Sequence, residues 1–343
     1  MLCGWGVSRP KATHQEQVTV TPAVSGGSTS QVEGRKGWIP VIYWGRISSD
    51  CKYVCVADYN TRHLIVWELG RGQKAQLPIR GGGSWVDVRN IQWAPNTGYL
   101  AVATEGMHSE TTVFDPQNWQ PLCQVKPAIE CCWSPSGQEL AYRGRTDKVF
   151  IRRIGGGNDV RRYPLPTALE ATGAPDWSRN NRLALPGARY GAYLLDPDTG
   201  QTVFIPQHPQ ESLSDAAWSP SGEDLYFHTT QAPYWFGLAL LYNEGGTRLK
   251  QRIRLQRGSE SMSVMRWAHS GKYLAVQEAI IQGLGSSHRI NIYRTSPFAR
   301  VAELQSKRHE CWHDCEWTQD DCGLHGLRGD GMLCYWDLSH LKG

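Results

Sequence analysis

Most markers of chemistry and targeting are missing from this 343-residue chain. It has no Gly-x-Ser-x-Gly elbow, no phosphate-binding Gly-x-x-x-x-Gly-Lys, no His-Glu-x-x-His and no dinucleotide fingerprint. An enzyme is therefore not expected, and neither is a cofactor. No stretch approaches the roughly 18 consecutive apolar residues of a membrane helix, so membrane insertion is not expected. Met1–Pro10 shows no basic segment followed by an apolar run, and no Asn-x-Ser/Thr acceptor occurs. An intracellular location, cytoplasmic or nuclear, follows as the expectation. The net charge is only +4 with 20% charged residues, too small a bias to imply nucleic acid or a lipid surface by itself. Phenylalanine is scarce, at 6 residues, yet tryptophan reaches 15, which implies a repeated structural role for tryptophan.

The ten cysteines (Cys3, Cys51, Cys55, Cys123, Cys131, Cys132, Cys311, Cys315, Cys322 and Cys334) are dispersed through a chain long enough to build a core. Dispersed cysteines of this kind read as reduced, buried small hydrophobes rather than a disulfide framework.

What is present is a repeat. A Trp, a tight turn and an apolar run recur at Trp44, Trp93, Trp133, Trp177, Trp218, Trp267 and Trp317. Four copies nearly superimpose: Trp133-Ser-Pro-Ser-Gly137, Trp218-Ser-Pro-Ser-Gly222, Trp267-Ala-His-Ser-Gly271 and Trp93-Ala-Pro-Asn-Thr-Gly98. Between Trp44 and Trp317, 273 residues divide over six intervals, a mean of 45.5. That period suits four short strands per unit. In each unit the Trp ends an inner strand, and the Pro and Gly of the turn preset one dihedral and accept a positive one. The following strands carry near-continuous apolar runs, such as Leu100-Ala101-Val102 and Val149-Phe150-Ile151. Strands buried on both faces read this way.

The units resemble WD40 repeats, most clearly Gly329-Asp330-Gly331-Met332-Leu333-Cys334-Tyr335-Trp336-Asp337, and the Trp-Ser-Pro-Ser-Gly copies are also similar to TolB-type propeller repeats. No unit keeps a Gly-His pair at its start, and only units one and seven hold a Trp in the third strand, Trp67 and Trp336. The expected fold is an all-β, seven-bladed propeller of four-stranded blades over residues 16–343, after an extension at 1–15. Blades are expected to start near residues 38, 88, 128, 173, 213, 262 and 311. The last unit stops after its third strand, and the β-like segment Gln17–Ala23, within 16–24, is expected to complete it and close the ring. Residues 25–37 would be a flexible connection.

Three groups of residues stand out as candidate sites. In His309-Glu310-Cys311-Trp312-His313-Asp314-Cys315, strict strand alternation would put His309, Cys311, His313 and Cys315 on one face. Cys311, His313 and Cys315 are zinc-ligand types. Alternate residues on one strand lie about 6.5–7 Å apart, so only neighbours could share a metal. No metal is expected. The WD40 resemblance instead implies that His309 hydrogen-bonds the turn Asp330. Second, cations alternate at Arg248, Lys250, Arg252 and Arg254, and cluster at Arg143, Arg145, Lys148, Arg152, Arg153, Arg161 and Arg162. These are expected to be solvated surface that guards strand edges, with nucleic-acid or anionic-ligand binding as the alternative.

The third group lies in the connections. Insertions are expected at Gly81–Val88, Thr104–Thr111, Thr229–Gly237 and Ala279–His288, loops that a WD40-type ring would place on one face. They carry Trp85, Met107, Tyr234, Trp235, Phe236, Ile280, Ile281 and Leu284. Exposed aromatics gathered on one face suit protein recognition, although such residues also plug channel mouths. The resulting expectation is a non-catalytic scaffold binding one or more proteins of a multisubunit assembly.

Overall fold

The computed structural model describes residues 42–58, 63–78, 87–105, 109–144, 148–157, 159–165, 173–187, 191–206, 211–231, 236–254, 264–282, 285–305, 312–329 and 333–342. These residues form 27 strands and one four-residue 3-10 turn, Ser339–Lys342. Blade one holds β1 (Ile42–Ile47), β2 (Tyr53–Asp58), β3 (His63–Glu68) and β4 (Gly72–Pro78). Blade two holds β5 (Asp87–Trp93), β6 (Leu100–Glu105), β7 (Glu110–Phe114) and β8 (Pro121–Val125). Blade three holds β9 (Glu130–Trp133), β10 (Glu139–Arg143), β11 (Lys148–Arg153) and β12 (Val160–Pro164). Blade four holds β13 (Asp176–Trp177), β14 (Leu183–Gly187), β15 (Gly191–Leu195) and β16 (Thr202–Pro206). Blade five holds β17 (Glu211–Trp218), β18 (Leu225–Gln231), β19 (Phe236–Asn243) and β20 (Arg248–Arg254). Blade six holds β21 (Met265–Trp267), β22 (Tyr273–Gln282), β23 (Gly285–Thr295) and β24 (Phe298–Gln305). Blade seven shows β25 (Trp312–Trp317), β26 (Gly323–Arg328) and β27 (Leu333–Asp337).

Each blade is an antiparallel meander paired in sequence order. The protein is thus an all-β, seven-bladed propeller, with three strands of the last blade among the described residues. The expected closing strand, Gln17–Ala23, lies outside them. No helix among the described residues is long and apolar enough to cross a membrane.

The core is not one body but seven interfaces. One apolar cluster joins each blade to the next, from Cys55, Leu64 and Val66 against Ile91, Trp93 and Leu100 between blades one and two, round to Ile47, Val54 and Val56 against Leu327 and Leu333 between blades one and seven. The intervening five clusters follow the same plan. A blade therefore needs two apolar faces. Cys131 packs toward blade two while its neighbour Cys132 packs toward blade four, which is why the runs do not alternate with polar residues. The eight described cysteines are free thiols.

The repeated turn has a backbone reason at every copy. The fourth residue after the strand-ending position takes a positive φ in six blades: Cys51 (54°), Gly137 (71°), Asn181 (58°), Gly222 (76°), Gly271 (72°) and Asp321 (56°). Blade two, with one residue more, uses Gly98 (71°). Gly, Asn and Asp tolerate this region, and Cys51 adopts it too, so the degenerate copies keep the conformation where they have lost the glycine.

The same geometry corrects the first landmark. Trp44 lies third in β1, and Ile47 ends that strand before the Ser48 turn, whose Cys51 N–H donates to the Ser48 carbonyl at 2.8 Å. Hydrogen bonding agrees. Trp133, Trp267 and Trp317 each donate their indole N–H to the residue before the previous landmark, Gln92, Ala217 and Arg266. Trp93 donates to Arg46, so Ile47 is the landmark of blade one. Trp177 departs by bonding its own turn at Asn181.

The insertion at Ala279–His288 is not a loop. β22 and β23 continue as a hairpin, of 10 and 11 residues, to the pair Gln282 and Gly285. The Thr229–Gly237 segment likewise is strand through Gln231 and again from Phe236.

Candidate functional site at the propeller axis

The first strands of the seven blades contact one another in succession, β1 to β5, β5 to β9 and onward, with β25 returning to β1. Within this ring lies a cluster of charged and polar residues. One tier sits three residues before the landmark: Asn90, Glu130, Asp215 and Asp314. A second tier sits one residue before it: Arg46, Asp176, Arg266 and Glu316.

Asp314 is the centre of this network, with its side chain fully buried. Its Oδ1 accepts from Arg46 of blade one at 2.8 Å and from Arg266 of blade six at 2.9 Å. Its Oδ2 accepts the backbone N–H of Ile47 at 2.8 Å. A single carboxylate thus ties three blades at the seam where blade seven meets blade one. Arg266 also pairs with Glu316 at 3.3 Å and donates to the Met265 carbonyl. Opposite, Asp176 accepts the backbone N–H of Trp218 at 2.6 Å, and Asp215 accepts that of Ala174 at 3.0 Å. Asn90 reaches the Cys131 carbonyl. Arg143, 1% exposed, pairs with Glu130 at 2.6 Å and donates to the carbonyls of Pro186 and Gly173 in blade four.

Burial dominates the ionisation of this cluster. It raises Glu130 and Glu316 to about 7, against the opposing charges of Arg143 and Arg266 respectively, and Asp176 to about 6. Asp215 is raised by burial as well, against the N–H of Ala174 and the charges of Arg46 and Arg266. For Arg266, burial works to lower the pKa but Asp314 and Glu316 together outweigh it, so the guanidinium stays charged. Arg46 of blade one is felt by Asp215 of blade five, and Arg266 of blade six by Asp176 of blade four. The groups share one poorly solvated interior. Every carboxylate in it is engaged by an arginine or a backbone N–H of another strand, so the chemistry the cluster supports is inter-blade stitching. Two donors are left over, Arg46 Nε and Arg143 Nη1.

Among the described residues singled out from sequence, most fall elsewhere. Within the zinc-type cluster, β25 has a register shift between Trp312 and Asp314, which breaks the strict alternation that would align His313 with Cys315. Cys315 packs fully buried in the cluster between blades six and seven, and burial pushes its thiol well up. His309, Cys311 and Asp330 lie outside the described residues. Among the described residues no group of three or more His, Cys, Asp or Glu could hold a metal. Trp85, Met107, Tyr234, Trp235 and Leu284 also lie outside them. Phe236, Ile280 and Ile281 are strand positions on the hairpins of blades five and six.

Of the basic groups, Lys148, Arg153, Arg161, Arg162, Arg248 and Lys250 are exposed on third and outer strands, as expected, and Arg152 is half-buried. Arg252 and Arg254 are backbone positions of β20, and Arg145 is outside the described residues. Arg143 is the exception. It was grouped with surface cations but belongs to the buried axial network, because β10 carries it under the edge of blade four. The axial cluster had a partial sequence signal: charged or amide residues one or three places before the landmark Trp recur in six of the seven first strands.

The sequence matches no protein-family model and no curated protein. Among solved structures the chain is similar to Kuenenia stuttgartiensis hydrazine synthase, with a TM-score of 0.63 and 13% identity over 77% of this chain and 81% of that one. At that identity the likeness is one of fold.

Proposed function

We propose that this propeller is a non-catalytic platform that docks protein partners on the hairpins of blades five and six, as a subunit of a larger assembly. The observation that carries this reading is the length of the blade-six hairpin. In blades three and four the second and third strands run five or six residues, against 10 and 11 in blade six. Strand β21 pairs with β22 only as far as Val276, and β24 pairs with β23 only as far as Arg289. The four rungs from Ala279–His288 to Gln282–Gly285 therefore have no strand on either side among the described residues. A ribbon with open edges offers backbone groups to a partner, and its sequence includes Ile280 and Ile281. The polar groups at the axis, by contrast, are consumed in holding blades together.

The test replaces Ile280 and Ile281, and separately Tyr234, Trp235 and Phe236, by Ser, then compares what co-purifies from the native source. Partner proteins present with the wild type should be lost from the variants, with Tm unchanged to within about 2 °C. Unaltered capture refutes the reading, and a large drop in Tm makes these residues core.

A further inference from the structure

We propose that the outer edge of blade four, β16, is a strand-addition site for an extended peptide whose short apolar stretch is flanked on both sides by acidic residues. The surface is separate from the hairpins of blades five and six and does not depend on them.

Three features converge. The strand reads Thr202-Val203-Phe204-Ile205-Pro206, with no charged residue, and exposes Val203 at 50% and Phe204 at 44%. Its inner neighbour is β15, and its other edge has no strand beside it among the described residues. Natural outer strands are normally guarded by charge, as β12 is by Arg161 and Arg162 and β20 by Arg248 and Lys250. Strand β8 is also uncharged, but the cation on its β4 side, Lys74, is matched by Glu68 at 2.7 Å.

The two guarded strands are the outer strands of the blades on either side of β16. An unguarded apolar edge is thus framed by cations. Glu139 matches Arg161 and Glu244 matches Arg248; Lys250 is ion-paired to none of the described acids, although it shares its field with Asp224, and Arg162 stands in excess. The acids closest in the chain are occupied. Asp196 accepts the N–H groups of Asp198 and Thr199 within its own turn, and Asp198 accepts from Asn181. A second copy of this chain would bring its own Arg162 and Lys250 against these, so the frame disfavours edge-to-edge self-pairing and selects an acidic partner.

The geometry of the edge sets the ligand pattern. Ile205 is buried toward blade five, so Val203 lies on that face, while Phe204 packs at a tilt against Tyr193 on the face toward blade three. Adjacent apolar residues in an added strand would cover both, because successive side chains point to opposite faces. Paired acids at each end would then reach the cations on both sides. Main-chain bonds to β16 supply affinity and the charges supply selectivity.

The probe is a capped, fluorescein-labelled peptide, Glu-Glu-Val-Ile-Val-Glu-Glu, added to the full chain and read by fluorescence anisotropy. Saturable binding is expected, weakened about tenfold by Val203→Ser with Phe204→Ser, which removes roughly 1.5 kcal/mol of apolar contact. Arg162→Glu with Lys250→Glu should abolish it while leaving the edge itself intact. Raising salt from about 0.05 to about 0.3 M should weaken it several-fold. Equal binding of the Lys-for-Glu peptide overturns the proposal, as does absence of saturable binding. Binding to phosphatidylcholine–phosphatidylserine vesicles but not to the peptide would assign the patch to a lipid surface and overturn it too. The Ile280 and Ile281 variants should bind the probe like wild type, so failure here and failure of the hairpin reading are separable.

Discussion

Asp314 should be the residue whose loss most damages the ring without touching its apolar core. The carboxylate is fully buried and holds two arginines and one backbone N–H across blades one, six and seven. Replacing it by Ala leaves Arg46 without a hydrogen-bonded carboxylate and with only the more distant charge of Asp215, and Arg46 Nε is already without a partner. Arg266 keeps Glu316 and the Met265 carbonyl. Breaking a buried ion pair by removing one member costs about 3–5 kcal/mol, so Asp314→Ala should cost about 4. Asp314→Asn keeps the shape and one acceptor, and should cost about 2 kcal/mol. Unfolding the roughly 240 described residues carries an entropy near 0.5 kcal/mol/K, so the Ala change should lower Tm by about 8 °C. Urea unfolding followed by tryptophan fluorescence, alongside calorimetry, reads both quantities. The decisive variant is Arg46→Met with Asp314→Leu, which removes Arg46 and its carboxylate together and leaves Arg266 to Glu316 and the Met265 carbonyl. It should recover more than half of the loss. If Asp314→Ala costs less than about 1 kcal/mol, or the double change is as damaging as the single one, ionic stitching is not what holds this seam.

Two further perturbations test the turn and the axial charges. Gly137 has φ of 71°, and a Cβ there would collide with the Pro95 carbonyl oxygen of the neighbouring blade, whereas at Gly271 (72°) the nearest atom is Pro220 Cδ at 3.7 Å. Gly271→Ala should therefore cost only the left-handed strain of about 1–2 kcal/mol, and Gly137→Ala distinctly more by the same urea assay; equal costs would contradict the packing argument. Glu316 is raised in the folded protein to about 7 from its ordinary 4.5, so the folded state binds the extra proton and stability falls as pH rises between those values. Glu316→Gln mimics the protonated form, and its stability relative to wild type should climb across that window by up to about 3 kcal/mol; a gap independent of pH refutes it.

How far the residues spoke for themselves differs from place to place. The turns after Trp133, Trp218 and Trp267 were legible because Ser-Pro-Ser-Gly and its relatives admit few backbone paths. Blade one was misread by three residues, since its landmark is Ile47 and a nearby Trp44 took its place in the pattern. An apolar β-branched residue fills the same inter-blade space but lacks the indole N–H that marks the other copies. The Ala279–His288 segment was read as a loop because its Gly and Ser residues carry turn propensity, while pairing of β22 with β23 overrides that propensity. His313 and Cys315 looked like a ligand pair only under strict alternation, which the register shift beside Asp314 destroys.

A repeat is a local property written many times over, so the number of blades, the strand order within a blade and the apolar character of both faces are all present in the linear chain. The axial network is not of that kind. Arg46 and Asp314 are separated by 268 positions and meet only because the ring returns to its start. The sequence by itself therefore determined the propeller. Which charges are buried together, and that Arg143 belongs among them, were decided by the packing of blade on blade and by closure of the ring, because Coulomb and desolvation energies depend on distance in space and not along the chain.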